Sequence, residues 1–191
     1  MAEFKYKIVV VGDAAVGKTS LIRKYTKGAF EEDYIATLGA QFTQYEEIID
    51  GVSFRLIFWD IAGQPTFERM RQKFYSGSNA AIIVFSHSSE EKKSFKSVDK
   101  WLSEVQKHCG NIQIALFGNK IDLVNDEELQ SSEYRDSKVK EYVREHNFLG
   151  YYKTSALTGQ GVNDAFYALT KRLYSLRNIR NVNKIKETNK K

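Results

Sequence analysis

A chain of 191 residues, 42% hydrophobic and 28% charged, has the length and apolar content of one domain with a full core. Its apolar runs, such as Ala80–Phe85, fall far short of the ~20 residues that a membrane-crossing helix needs. The net charge is +5, and residues 177–191 hold the whole excess: Arg177, Arg180, Lys184, Lys186, Lys190 and Lys191 stand against Glu187 alone, so the neutral body argues against a nucleic-acid-reading face.

Phe4 to Val11 reads as a buried strand, and a glycine-rich loop follows it. A helix is predicted from Lys18 to about Thr26, then a surface loop over Gly28–Ala40. Gln41–Ile49 and Ser53–Trp59 are predicted strands joined by Asp50-Gly51, a dipeptide that favours a tight hairpin turn. Asn79–Ser86 is a short apolar run of the buried-strand kind. Ser89–His108 reads as a helix capped by Ser88 or Ser89, with Phe95, Val98, Leu102 and Val105 on one face and Trp101 beside it. Ile112–Phe117 is a buried strand. Asp126–Asp136 is a polar excursion before a helix over Ser137–Glu145, and Tyr151–Lys153 is a short strand. The last helix spans Val162–Leu176. Beyond it, a basic, disordered tail is expected over 177–191. Strands alternating with helices predict an α/β fold: a mostly parallel six-stranded sheet with one antiparallel edge strand and helices on both faces. With charged Lys5, Lys7 and Asp13 around the first apolar run, no signal peptide is expected, and with Ala2 no myristoylation signal of the usual kind. The single Cys109 cannot form an internal disulfide, and the cytoplasm is the expected compartment.

The loop reads Gly12-Asp13-Ala14-Ala15-Val16-Gly17-Lys18-Thr19-Ser20, the phosphate-loop spacing, placed where a strand ends and a helix begins. Its successive N–H groups form an anion nest, and the helix that follows adds its positive end. Lys18 is placed to reach the terminal phosphates, and the Thr19 hydroxyl to ligate Mg²⁺. This loop alone fits ATPases, kinases and GTPases. Gly118-Asn119-Lys120-Ile121-Asp122 decides among them. A carboxylate at Asp122 accepts from both the ring N–H and the exocyclic amine of guanine, and would reject adenine. Asp60 of Trp59-Asp60-Ile61-Ala62-Gly63-Gln64 can hold Mg²⁺ through water, and the Gly63 N–H can meet a γ-phosphate. Thr154-Ser155-Ala156 can close over the base with backbone N–H groups. His87, His108 and His146 have no metal-ligand spacing.

With these four segments in order, residues 4–176 resemble the Ras-like small GTPases, and most closely the Rab branch. Trp59–Gln64 is one substitution from the Rab form, and Thr37-Leu38-Gly39-Ala40-Gln41-Phe42 resembles its switch I. The resemblance implies one P-loop GTPase domain over 1–176, acting as a monomeric GTP/GDP switch with Mg²⁺ held by Thr19, Thr37 and Asp60. The nucleotide contacts it implies come from Ala15 through Ser20, Phe30 (stacked on guanine), Tyr34 (closed over the phosphates), Thr37, Gly63, Asn119, Lys120, Asp122, Ser155, Ala156 and Leu157. Catalysis falls to Gln64, which orients the attacking water, with Lys18 and Thr37. Phe42, Trp59 and Phe74 match an aromatic triad that Rabs present to effectors. Effector, activating and exchange proteins are the implied partners, in membrane traffic or cytoskeletal-type regulation.

Four departures qualify the resemblance. Pro65 stands where Rabs usually have Glu, and it removes an N–H and biases Gln64 toward extended angles. This opens the alternative of a non-hydrolysing guanine-nucleotide-binding module. Ala14 stands where Ras has Gly, and Leu157 replaces the lysine common after Ser-Ala. No cysteine lies near Lys191, so the prenyl anchor of most Rabs is not in this sequence. Membrane contact is then expected to rest on the basic tail, as weak attraction to an anionic surface.

Overall fold

The computed structural model describes residues 3–27, 32–35, 39–64, 66, 68–88, 93–131 and 136–188. Strand β1 (Glu3–Gly12) leads into helix α1 (Lys18–Tyr25). Strands β2 (Glu32–Ile35), β3 (Ala40–Ile49) and β4 (Val52–Ile61) follow. Next come α2 (Glu68–Tyr75), β5 (Ala80–Ser86), α3 (Val98–Cys109) and β6 (Gln113–Asn119). The chain ends with α4 (Asp126–Ser131), α5 (Asp136–Glu145), β7 (Gly150–Lys153) and α6 (Val162–Thr188). The sheet order is β2-β3-β4-β1-β5-β6-β7. β1 pairs in parallel with β4 and β5, and β6 pairs in parallel with β5 and β7; β3 pairs antiparallel with both β2 and β4.

The parallel centre follows from composition. β1 and β5 are covered on both faces, so both are apolar at successive positions rather than at alternate ones. Ile8 and Val10 join the core under α1 and α6, with Leu21, Tyr25, Phe166 and Leu169. Val9 and Val11 join the opposite core under α2, α3 and α5, with Tyr75, Trp101, Val105 and Val139. This two-sided burial fixes the sheet, and every β1, β4, β5 and β6 C-terminal end opens on one edge. That edge is where open α/β sheets bind ligands.

Three sequence expectations need correction, and one helix, α2, lies where no element is predicted. The six expected strands are present, and a seventh, β2, adds an outer edge within the stretch expected to be loop. β3 is therefore the one antiparallel strand but not the edge. The third helix starts at Val98 rather than Ser89. Residues 93–94 form a short 3-10 turn first, and Ser94 Oγ accepts from the Ser86 N–H at 2.9 Å, tying that turn to the end of β5. The segment before the second apolar strand contains α2, whose Glu-Arg-Met-Arg-Gln-Lys start hides its period. The last helix continues to Thr188, through most of the stretch expected to be a disordered tail. No glycine or proline interrupts residues 162–188, and Arg177 lies 5.0 Å over the Phe4 ring, which holds the helix to the body beyond Leu176. Among the described residues no helix is long and apolar enough to cross a membrane.

Candidate functional site

The loop between β1 and α1 is built on two glycines at positive φ. Gly12 has φ 145°, and a Cβ there would lie 2.2 Å from the Val84 carbonyl oxygen of β5. Gly17 has φ 96°, and a Cβ there would lie 2.3 Å from Asn119 Nδ2. Lys18, only 7% exposed, folds back and donates from Nζ to the Gly12 carbonyl at 3.0 Å and the Asp13 carbonyl at 2.8 Å. Burial lowers its pKa, against the opposing Asp60 and Asp13 carboxylates, while the nearby Arg71 charge lowers it further. A phosphate beside Lys18 would favour the charged amine.

Asp60, the penultimate residue of β4, lines the same cleft as this loop and is 8% exposed. The Thr19 hydroxyl donates to its Oδ2. Burial raises the Asp60 pKa, against the Thr19 hydrogen bond and the Lys18 charge. A hydroxyl and a buried carboxylate side by side suit Mg²⁺, a hard cation bound through few protein oxygens plus phosphate and water. Both residues line a cleft of about 280 Å³ together with Ala14, Ala15, Lys18 and Gln64. Gly63 closes one wall so tightly that a Cβ would lie 2.4 Å from the Gly12 oxygen and 2.6 Å from the Ala14 nitrogen. Gln64 is exposed at the mouth.

Asn119 joins this phosphate side to the expected base side. It is 1% exposed at the end of β6. Its Nδ2 donates to the Val16 carbonyl at 2.9 Å, and its Oδ1 accepts from the Ala156 N–H at 3.1 Å and the Thr154 hydroxyl at 3.4 Å. Lys120 takes φ 62°, which turns the chain into a single 3-10 turn, Ile121–Leu123, where the Asp122 carboxylate is exposed. The Ile121 N–H bonds the Thr154 carbonyl at 3.2 Å, so the two loops rise together. Ser155 is buried, and its hydroxyl accepts from the Thr158 N–H at 3.0 Å. Leu157 is 76% exposed, and its carbonyl accepts from Lys24 Nζ at 3.0 Å.

Residues from four strand ends thus meet on one rim. Phe30, Thr37 and Pro65 lie outside the described residues. For Tyr34 only the backbone is described, in β2 opposite Gln41. Ser20 is exposed on α1. Phe42, Trp59 and Phe74 do converge, with centroids 5.5 and 5.0 Å apart and Trp59 central; Phe74 is buried in the core under α2, and Phe42 and Trp59 are half-buried.

The sequence reading missed Arg71, Trp101 and Glu104. Arg71 is fully buried and paired with Glu104, and Trp101 Nε1 donates to Asp13 Oδ1 at 2.8 Å. A tryptophan beside an apolar face was the only signal, and charges in a polar run carry none. His87, expected to be no metal ligand, is a packed core-edge residue. Packed against Phe85, its Nε2 lies 2.7 Å from the Tyr151 hydroxyl, and burial pulls its pKa down to about 4.

Comparison with known proteins agrees with this geometry. The chain is 35% identical over 171 residues to "Ras-related protein Rab-5A" of Dictyostelium discoideum, covering 89% of this chain and 81% of that one. The Ras family model matches residues 7–175, nearly the whole body that carries the four strand-end segments. The chain therefore belongs to the Ras family of small GTPases, with its nearest resemblance on the Rab side.

Proposed function

We propose that this chain is a nucleotide switch that binds GTP and GDP with Mg²⁺, hydrolyses GTP slowly, and engages effectors in its GTP state. The observation that carries the reading is Asn119. One buried amide ties the phosphate loop at Val16 to the loop at Ala156, so both halves of a nucleotide are received by one rigid rim. Asp122 selects guanine by accepting two donors from the base. Lys18 and the loop N–H groups stabilise charge developing on the transferred phosphoryl group. Thr19 and Asp60, with Thr37, would hold Mg²⁺, which neutralises phosphate charge when bound. Gln64 at the cleft mouth orients the attacking water.

No arginine occurs in the stretch 28–40, so the chain offers no obvious cationic finger of its own there. An activating partner would then be worth on the order of 10³–10⁵ in rate. The Phe42–Trp59–Phe74 cluster, beside both switch segments, is the surface for effectors in membrane traffic or a related pathway. Basic residues of α6 beyond Leu176 supply weak attraction to an anionic membrane. Competition binding tests the reading: GTP and GDP should displace a labelled guanine nucleotide and ATP should not. Asp122→Ala should weaken guanine nucleotides alone. Equal competition by ATP would sink it.

A further inference from the structure

Arg71 of α2 is an unusual residue to find in a core, with 0% of its side chain exposed. Its guanidinium is satisfied in three directions. Nε donates to Glu104 Oε1 at 2.5 Å and Nη2 to Glu104 Oε2 at 2.9 Å, a two-pronged pair with α3. Nη1 donates to the backbone carbonyl of Gln64 at 3.2 Å. The guanidinium carbon lies 4.8 Å over the Trp101 ring, and that ring's N–H is held by Asp13 in the phosphate loop. The Tyr75 hydroxyl donates to Glu104 Oε1 at 3.1 Å, which fixes the carboxylate from a second side.

A buried ion pair is a poor device for stability alone, since well-packed apolar side chains of the same volume commonly do as well or better. An apolar side chain could pin α2 to α3 equally well. It could not hold the Gln64 carbonyl, and only an indole N–H or a similar donor could reach Asp13. The polar groups thus stand where they link two loops that flank one cleft.

We infer that Arg71 is a positioning residue for Gln64, and that Asp13–Trp101–Arg71–Glu104 forms a bracket through which the phosphate loop fixes the backbone on which the water-orienting side chain is mounted. The inference rests on the hydrolysis reading for its effect on rate, while the mechanical link stands apart from it. Pro65 sharpens the need. It follows Gln64 directly and removes one N–H that could have anchored the same turn.

Three conservative variants test the bracket. Trp101→Phe keeps a ring under Arg71 and deletes the N–H to Asp13, along with part of a buried ring, so its effect is read beside the other two variants. Glu104→Gln keeps shape and removes charge. Arg71→Lys keeps charge and removes the fork. Each should slow single-turnover GTP hydrolysis about tenfold, the size of one lost charge-assisted hydrogen bond, with GDP affinity changed less than about twofold. The double variant Arg71→Lys with Glu104→Gln should be no slower than the slower single, because both act through one contact. Amide hydrogen exchange read on the same proteins should rise at residues 62–75 and stay unchanged in β5 and β6. Unchanged hydrolysis, or exchange that rises equally in β5 and β6, would overturn the inference. If the wild-type chain releases no phosphate, the hydrolysis reading fails. The exchange pattern then decides the bracket by itself: a rise confined to residues 62–75 upholds it and no rise refutes it.

Discussion

Replacing Asn119 by alanine removes one side chain and loosens both halves of the site. The amide is 1% exposed and makes three hydrogen bonds, to Val16 O at 2.9 Å, from Ala156 N at 3.1 Å and from Thr154 Oγ1 at 3.4 Å. Truncation leaves a buried carbonyl and an N–H without partners. With net costs near 1 kcal/mol per lost bond and a small added cavity term, the loss should be about 3 kcal/mol. For a domain of this size 1 kcal/mol moves Tm by about 2–4 °C, so Tm should fall by about 6–12 °C. The two loops no longer share a tie, so GDP should also dissociate at least about tenfold faster, corresponding to about 1.4 kcal/mol of lost complementarity. Thermal unfolding followed by circular dichroism and stopped-flow release of a fluorescent GDP measure the two effects. A Tm within about 2 °C of wild type together with an unchanged release rate would show that Asn119 is not the joint between the loops.

Gly63→Ala should abolish hydrolysis and lower Tm, because the new Cβ would lie 2.4–2.6 Å from phosphate-loop backbone atoms; a variant that hydrolyses GTP at the wild-type rate would show that the wall is pliable. His87 gives a pH signature. Its folded pKa of about 4 lies below the unfolded value near 6.5, so the unfolded chain binds the proton first and stability falls as pH drops through this window, by about 2 kcal/mol between pH 7 and pH 5. Urea unfolding of wild type and His87→Gln at both pH values should show that slope in the wild type only; parallel slopes would refute the assignment.

The ends of the strands were legible because their chemistry is local. Gly12 and Gly17 sit where positive φ is required, Lys18 and Thr19 follow at fixed spacing, and Asp60 and Asn119 end apolar runs. The central strands were legible for a related reason: burial on both faces leaves continuous apolar sequence at Ile8–Val11 and Ala80–Phe85. The edge strand β2 was not, since its four residues gain their pairing from β3 rather than from their own pattern. Helix α2 was obscured because it buries charge. Arg71 is accommodated by Glu104 and Trp101, about thirty residues away in sequence, and no local period can announce such a partner. The late start of α3 has the same cause. Ser94 bonds back to Ser86 across the end of β5, where a cap at Ser88 or Ser89 had looked adequate from spacing alone. The extension of α6 beyond Leu176 escaped a compositional rule that weighed charge against apolar content and gave no weight to contacts such as Arg177 with Phe4.

Gln64 lines one cleft with Lys18 and Thr19, and the proposed GTP-hydrolysing switch depends on its orienting water there. Single-turnover phosphate release from the purified protein loaded with GTP and Mg²⁺ tests it most directly. Slow release from GTP, none from ATP, and loss of release in Gln64→Leu with GTP still bound are the expected results. Release that is absent from the wild type, or equal in wild type and Gln64→Leu, would contradict it.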